Sequence, residues 1–229
     1  MIDPVADLDS VREATERLLN AATALDNAAV AEPSRLPGWS RGHVLAHLAR
    51  NADALVNVFE GRPMYASAEA REHDIERDAP RPLPVQLDDV RESDGRFRTA
   101  ATADADWSRI VELRNGVKDA AARIPFRRLI EVELHHVDLG IGYELEDLPA
   151  DFTERETGFL AERFDGHKDV PPTTVLADGG RTWTTGGGAA GAPVTVRGTA
   201  ADVLGWLAGR RDGAALQVTG GPLPALPPL

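Results

Sequence analysis

From Val5 to about Asn27, apolar residues recur at intervals of three and four: Val5, Leu8, Val11, Ala14, Leu18, Leu19, Ala22 and Leu25. That period lines them up on one stripe, so the spacing predicts a first amphipathic helix. The segment EPSRLPGW interrupts the period. Ser40 then stands as an N-cap before GHVLAHLARNADALVNVFEG, which predicts a second helix over roughly 40–60. Between Gly61 and Pro84, charged residues and Pro63, Pro80, Pro82 and Pro84 predict a long connection with a short helix over Ala68 to Arg77. Leu87, Val90, Phe97 and Ala101 mark a third long helix. A fourth starts at Ile124-Pro125, where proline is tolerated in a first turn, and runs through PFRRLIEVELHHVDLGIGY to Gly140 or Gly142.

Past Leu148-Pro149 the texture changes. A helix over Phe152 to Phe164 is followed by the β-rich runs TTVLAD, RTWTT and PVTVRG, a helix over Ala200 to Ala208 and a last strand near ALQVTG. The expected architecture is a four-helix bundle over residues 1–150 and a small α+β domain over 151–229. The run GGGAAG has neither a following helix nor a lysine, which excludes a phosphate-binding loop and predicts a flexible hairpin or loop.

Composition narrows the functional classes. The formal net charge is -12, and no Lys/Arg stripe with interleaved aromatics offsets it, so nucleic acid is not an expected partner. No run of about eighteen uncharged apolar residues is present, so no membrane partner is expected. The N-terminus MIDPVADLDSVREATERLLN is acidic where a signal peptide is basic, which points to a cytoplasmic protein. The chain has no cysteine, so a Cys-ligated metal site and a protein thiol nucleophile are both ruled out, and any sulfur chemistry needs an imported thiol.

The candidate chemistry lies on the second and fourth helices. His43 and His47 are four residues apart and share a face, as do Glu131 and His135. Two antiparallel helices of a bundle can therefore present three N/O donors to one point with a fourth position open, the construction of a catalytic zinc site. His47, deeper in its helix than His43, is the chosen ligand with Glu131 and His135, and His43 is assigned to the first turn or a supporting role. His136 points about 100° away from His135. Glu133 falls on another face and is read as a solvated charge, with His73 and His167 as surface residues. HVLAH has no glutamate beside its first histidine, which argues against a metalloprotease.

The segments LPGWSRGHVLAHLARNADAL and RRLIEVELHHVDLGIGY, with the end pattern GWLAGR and LPALPPL, resemble the mycothiol-dependent maleylpyruvate isomerase family of the DinB-like superfamily across essentially the whole chain. The resemblance implies a DinB-like four-helix bundle that binds zinc through one histidine of its second helix and a Glu-x-x-x-His pair of its last, here His47, Glu131 and His135. It also implies a small α+β C-terminal domain whose GR-segment arginine, here Arg210, closes over the active site. The connection REHDIERDAPRPLP resembles the family's arginine-bearing one, so either Arg71 or Arg81 is a candidate to hold a substrate carboxylate through a bidentate contact.

The implied activity is addition of a metal-activated mycothiol thiolate to the cis double bond of maleylpyruvate, rotation, and elimination to fumarylpyruvate. The partners are then a small-molecule substrate and a low-molecular-weight thiol. Two other readings fit the same residues: a mycothiol S-transferase acting on an electrophile, and a noncatalytic metal- or ligand-binding module. The donor set suits Zn2+, with iron, nickel and manganese also compatible.

Overall fold

The computed structural model describes residues 2–103 and 106–228, and the chain forms two compact units, Met1–Tyr143 and Glu144–Leu229. No helix among the described residues is long and apolar enough to cross a membrane.

In the first unit, α1 (Pro4–Ala22) starts where the Asp3 side chain accepts from the Ala6 amide, with Pro4 at its first position. It buries Leu8, Val11, Ala14, Leu18 and Leu19. The periodicity predicted a helix reaching Asn27, but α1 stops five residues earlier, at Ala22. Asp26 is the reason: its carboxylate accepts the Ala29 amide at 2.8 Å and caps a separate short helix, α2 (Asn27–Ala31). Next, α3 (Arg41–Phe59) opens with a reciprocal cap, in which Ser40 Oγ accepts the His43 amide and His43 Nδ1 accepts the Ser40 amide.

The crossover carries α4 (Ala68–Asp78), capped by Ser67, and leads into α5 (Leu83–Ala103). A hairpin of β1 (Ile110–Glu112) and β2 (Lys118–Ala120) follows, antiparallel, with Asn115 and Gly116 both at positive φ in its turn. α6 (Ile124–Asp138) closes the unit. α3 packs on α5 and α1 on α6, with further α1–α5 and α3–α6 contacts, so the four long helices form the bundle. A Cβ added to Gly42 would lie 2.2 Å from the Ala79 carbonyl oxygen, so only glycine lets the end of α4 lie against the first turn of α3.

The second unit contains α7 (Ala150–Phe164), β3 (Thr173–Ala177), β4 (Thr182–Thr185), β5 (Val194–Gly198), α8 (Ala200–Leu207) and β6 (Gln217–Thr219). The sheet order is β4-β3-β5-β6, with β3 and β5 parallel and both outer pairs antiparallel. α7 packs on α8 and β4, and α8 on β3 and β5. The GGGAAG run forms a loop between β4 and β5, anchored along its first half. The amides of Gly187 and Ala189 both donate to the Val170 carbonyl, and a Cβ at Gly188 would sit 2.4 Å from the Gly166 carbonyl oxygen.

Candidate metal centre

α3 and α6 bring three donor side chains to one point inside the bundle. His47 Nε2 lies 3.0 Å from Glu131 Oε2, and His135 Nε2 lies 3.3 Å from the same oxygen. One ligand atom from each of the three residues falls within 4.8 Å of the others. The two imidazoles meet edge to face with centroids 4.7 Å apart. His47 and His135 are 6% and 9% exposed, whereas the Glu131 side chain keeps 33%, so the cluster is walled by the helices and open on the glutamate side.

The outer nitrogen of each ring has its own partner. His135 Nδ1 lies 2.8 Å from Oδ2 of Asp138, one turn further along α6 and fully buried. A carboxylate on Nδ1 fixes one ring proton there, so that loss of the other frees the Nε2 lone pair toward the cluster, as metal-binding histidines require. On His47, Arg71 Nη2 of α4 donates to Nδ1 at 3.2 Å, and the half-buried Trp39 ring lies 5.5 Å away by centroids. The sequence reading did not single out Asp138.

Burial pulls the His47 pKa down to about 4, against the Glu131 hydrogen bond, so this imidazole is neutral at physiological pH. Burial alone would raise Glu131, but hydrogen bonds from His135 and His47 hold its pKa well below the usual carboxylate range. His135 moves upward: burial opposes its charge, and hydrogen bonds to Asp138 and Glu131 outweigh that. Two imidazoles and one ionised carboxylate make a donor set suited to a borderline divalent cation such as zinc.

The other candidate residues separate. Arg71 reaches the cluster and also lies over the Tyr65 ring, 5.8 Å from its centroid. Arg81 lies elsewhere, with Nη2 2.8 Å from Asp78 and 2.7 Å from Asp89, in an ion-pair group that also takes Arg50 and Arg77. Arg210 follows the last turn of α8 and donates to the Ala208 carbonyl at 2.7 Å. His43 is spent on the cap of α3, with Nε2 3.3 Å from Glu76. His73 is exposed and His167 intermediate.

Glu133 corrects the expectation of a solvated charge. It is 2% exposed, accepts from Arg17 of α1 at 2.5 Å and from the Tyr143 hydroxyl at 2.9 Å. Arg128, not singled out from sequence, is fully buried on α6, and its Nη1 donates to the Leu48 carbonyl and Asn51 Oδ1, both at 2.9 Å. It therefore pins α6 to the backbone of α3 at the residue after His47.

The profile of the mycothiol maleylpyruvate isomerase N-terminal domain matches residues 11–140, more than half of the chain, and that of the MDMPI C-terminal domain matches residues 147–228. The chain belongs to the mycothiol maleylpyruvate isomerase family. Its fold agrees with that membership. A crystal structure of the mycothiol-dependent maleylpyruvate isomerase superposes with a TM-score of 0.88 at 25% identity, covering 99% of this chain and 97% of the other. A histidine-to-alanine mutant of that isomerase gives the same TM-score and coverage at 24% identity. No curated protein matches the chain. The family fold is thus a helical bundle followed by a small sheet-containing domain, as the resemblance in sequence implied.

Proposed function

We propose that this protein is a mycothiol-dependent cis–trans isomerase acting on maleylpyruvate or a related cis-unsaturated keto acid, with a divalent metal, zinc by its donor set, held by His47, Glu131 and His135. The observation that carries the reading is the convergence of His47 Nε2, Glu131 Oε2 and His135 Nε2, with the back of His135 clamped by Asp138, in a chain of this family.

A divalent cation there supplies the positive charge that keeps the sulfur of mycothiol ionised, a nucleophile able to add to a double bond and leave after rotation. The protein's own residues do the rest. Asp138 keeps the His135 lone pair pointed at the cluster, and Arg128 sets the spacing of α3 and α6. Glu131 contributes a single negative charge, so with two neutral imidazoles a divalent cation would keep one net positive charge, which balances the thiolate and leaves the substrate carboxylates to arginine. Arg71, which has no carboxylate partner among the described residues, offers its planar guanidinium to a substrate carboxylate. Arg210 is proposed as a catalytic arginine on the resemblance of its GR segment alone.

The test is zinc content of the purified protein and of His47→Ala and Glu131→Ala, with conversion of maleylpyruvate to fumarylpyruvate followed with and without mycothiol. The expected result is about one zinc per chain, lost in both variants, and conversion only when thiol is added. Conversion by metal-free protein, or a stable thiol conjugate as the end product, defeats the proposal.

A further inference from the structure

A guanidinium can only donate hydrogen bonds. The Arg71 Nη2 contact at 3.2 Å therefore makes His47 Nδ1 an acceptor, and the neutral ring carries its proton on Nε2, aimed at Glu131 Oε2 at 3.0 Å. Ligation of a cation through Nε2 needs the lone pair that this proton occupies. The ring, still neutral, then carries its proton on Nδ1, and two donors face each other across the Arg71 contact. No proton is gained or lost overall; it changes nitrogen.

We propose that Arg71 is a displaceable arm, a positioning residue that occupies His47 Nδ1 in the metal-free protein and is expelled from it when the site is loaded. This rests on the metal reading above. The expelled side chain stays beside the site, since α4 anchors it and Tyr65 lies against its guanidinium. Among the described residues no carboxylate pairs with it, so the carboxylate of an incoming substrate is the acceptor it lacks. Loading of the cation and availability of the anion anchor are then one event, and anionic substrate is drawn to the charged protein in preference to the empty one.

The experiment is calorimetric zinc titration of the metal-free full-length protein beside Arg71→Met and Arg91→Met, the latter removing an equal charge from an exposed pair with Asp88. Arg71→Met is expected to bind zinc about tenfold tighter than the parent, the scale of one hydrogen bond to a charged group, with Arg91→Met unchanged. Equal or weaker zinc binding by Arg71→Met overturns the proposal and leaves the metal site standing. No zinc binding by any of the three proteins overturns the metal reading together with it. A crystal structure of the zinc-loaded parent serves if Arg71→Met does not fold. Arg71 is expected more than about 4 Å from Nδ1, beyond hydrogen-bond reach, and an intact contact with zinc bound overturns the proposal.

Discussion

α6 carries two glutamates with opposite fates: Glu131 meets His135 directly, and Glu133 meets Tyr143, on whose ring His136 stacks. Glu133 has a dedicated donor on each oxygen, Arg17 and Tyr143, and His136 stacks on the Tyr143 ring at 3.9 Å. Burial raises the Glu133 pKa, with Arg17 acting against it. That cluster is closed. At Glu131 one oxygen faces two ring nitrogens, and the outer nitrogens of both rings are held by other groups. The residue type is the same; the opposing helix makes the difference. α1 presents a cation and fastens one glutamate into the fold, whereas α3 presents a third lone-pair donor and leaves the other with room for a cation.

Exchanging the properties of the two clusters tests this contrast. The largest effect is expected for Glu131→Gln, which removes the only negative charge of the open cluster. Its zinc affinity should fall at least about a thousandfold, with the circular dichroism spectrum retained; retained zinc would break the contrast. Asp138→Asn should lower zinc affinity by about ten- to a hundredfold, because His135 loses the partner that fixes its tautomer. Glu133→Ala should leave zinc content at the parental level and lower stability in urea by about 1–2 kcal/mol, discounted because the Arg17 side chain is 39% exposed. Loss of zinc in this variant would mean that the two faces of α6 are not independent.

Two effects of pH follow. His135 has its folded pKa raised above 6.5, so its proton must leave before a cation binds. Zinc affinity therefore climbs by up to about tenfold per unit as pH rises toward that pKa and levels off above it. The second concerns His47 in the metal-free protein, whose pKa falls from 6.5 to about 4 on folding. Between those values the unfolded chain binds the extra proton, so this contribution is present above 6.5 and is lost as pH falls toward 4. Chemical denaturation across that range, compared with His47→Phe, isolates it.

Much of this was legible in the chain because the signals were local. Ser40 three residues before His43 set the start of α3, and the four-residue spacings fixed which faces of α3 and α6 look inward. What escaped depends on partners distant in sequence or on side chains with two plausible uses. Glu133 finds Arg17 116 residues away, which no local pattern contains. Asp138, three residues after His135, was open to detection by the same helical spacing, but an aspartate at a helix end is unremarkable without its partner. Arg71 and Arg81 were equivalent in sequence; the folded crossover gives Arg81 two carboxylates and Arg71 an imidazole. The β1–β2 hairpin has only three residues per strand, too few for an alternation to register, although its Asn115-Gly116 turn was a usable signal.

α4 buries only Ile75 and Asp78 along its eleven residues, and Asp78 is held by Arg50, Arg77 and Arg81. A helix attached through a few charged contacts rather than an apolar stripe opens at a lower free energy than the bundle beneath it. Its amide protons should exchange with solvent well before those of α3 and α6. Since Arg71 rides on it, each such opening uncovers one side of the His47 ring while both ligand-bearing helices stay folded. Entry to the site thus acquires a clock of its own, set by a short surface helix and separate from the lifetime of the fold.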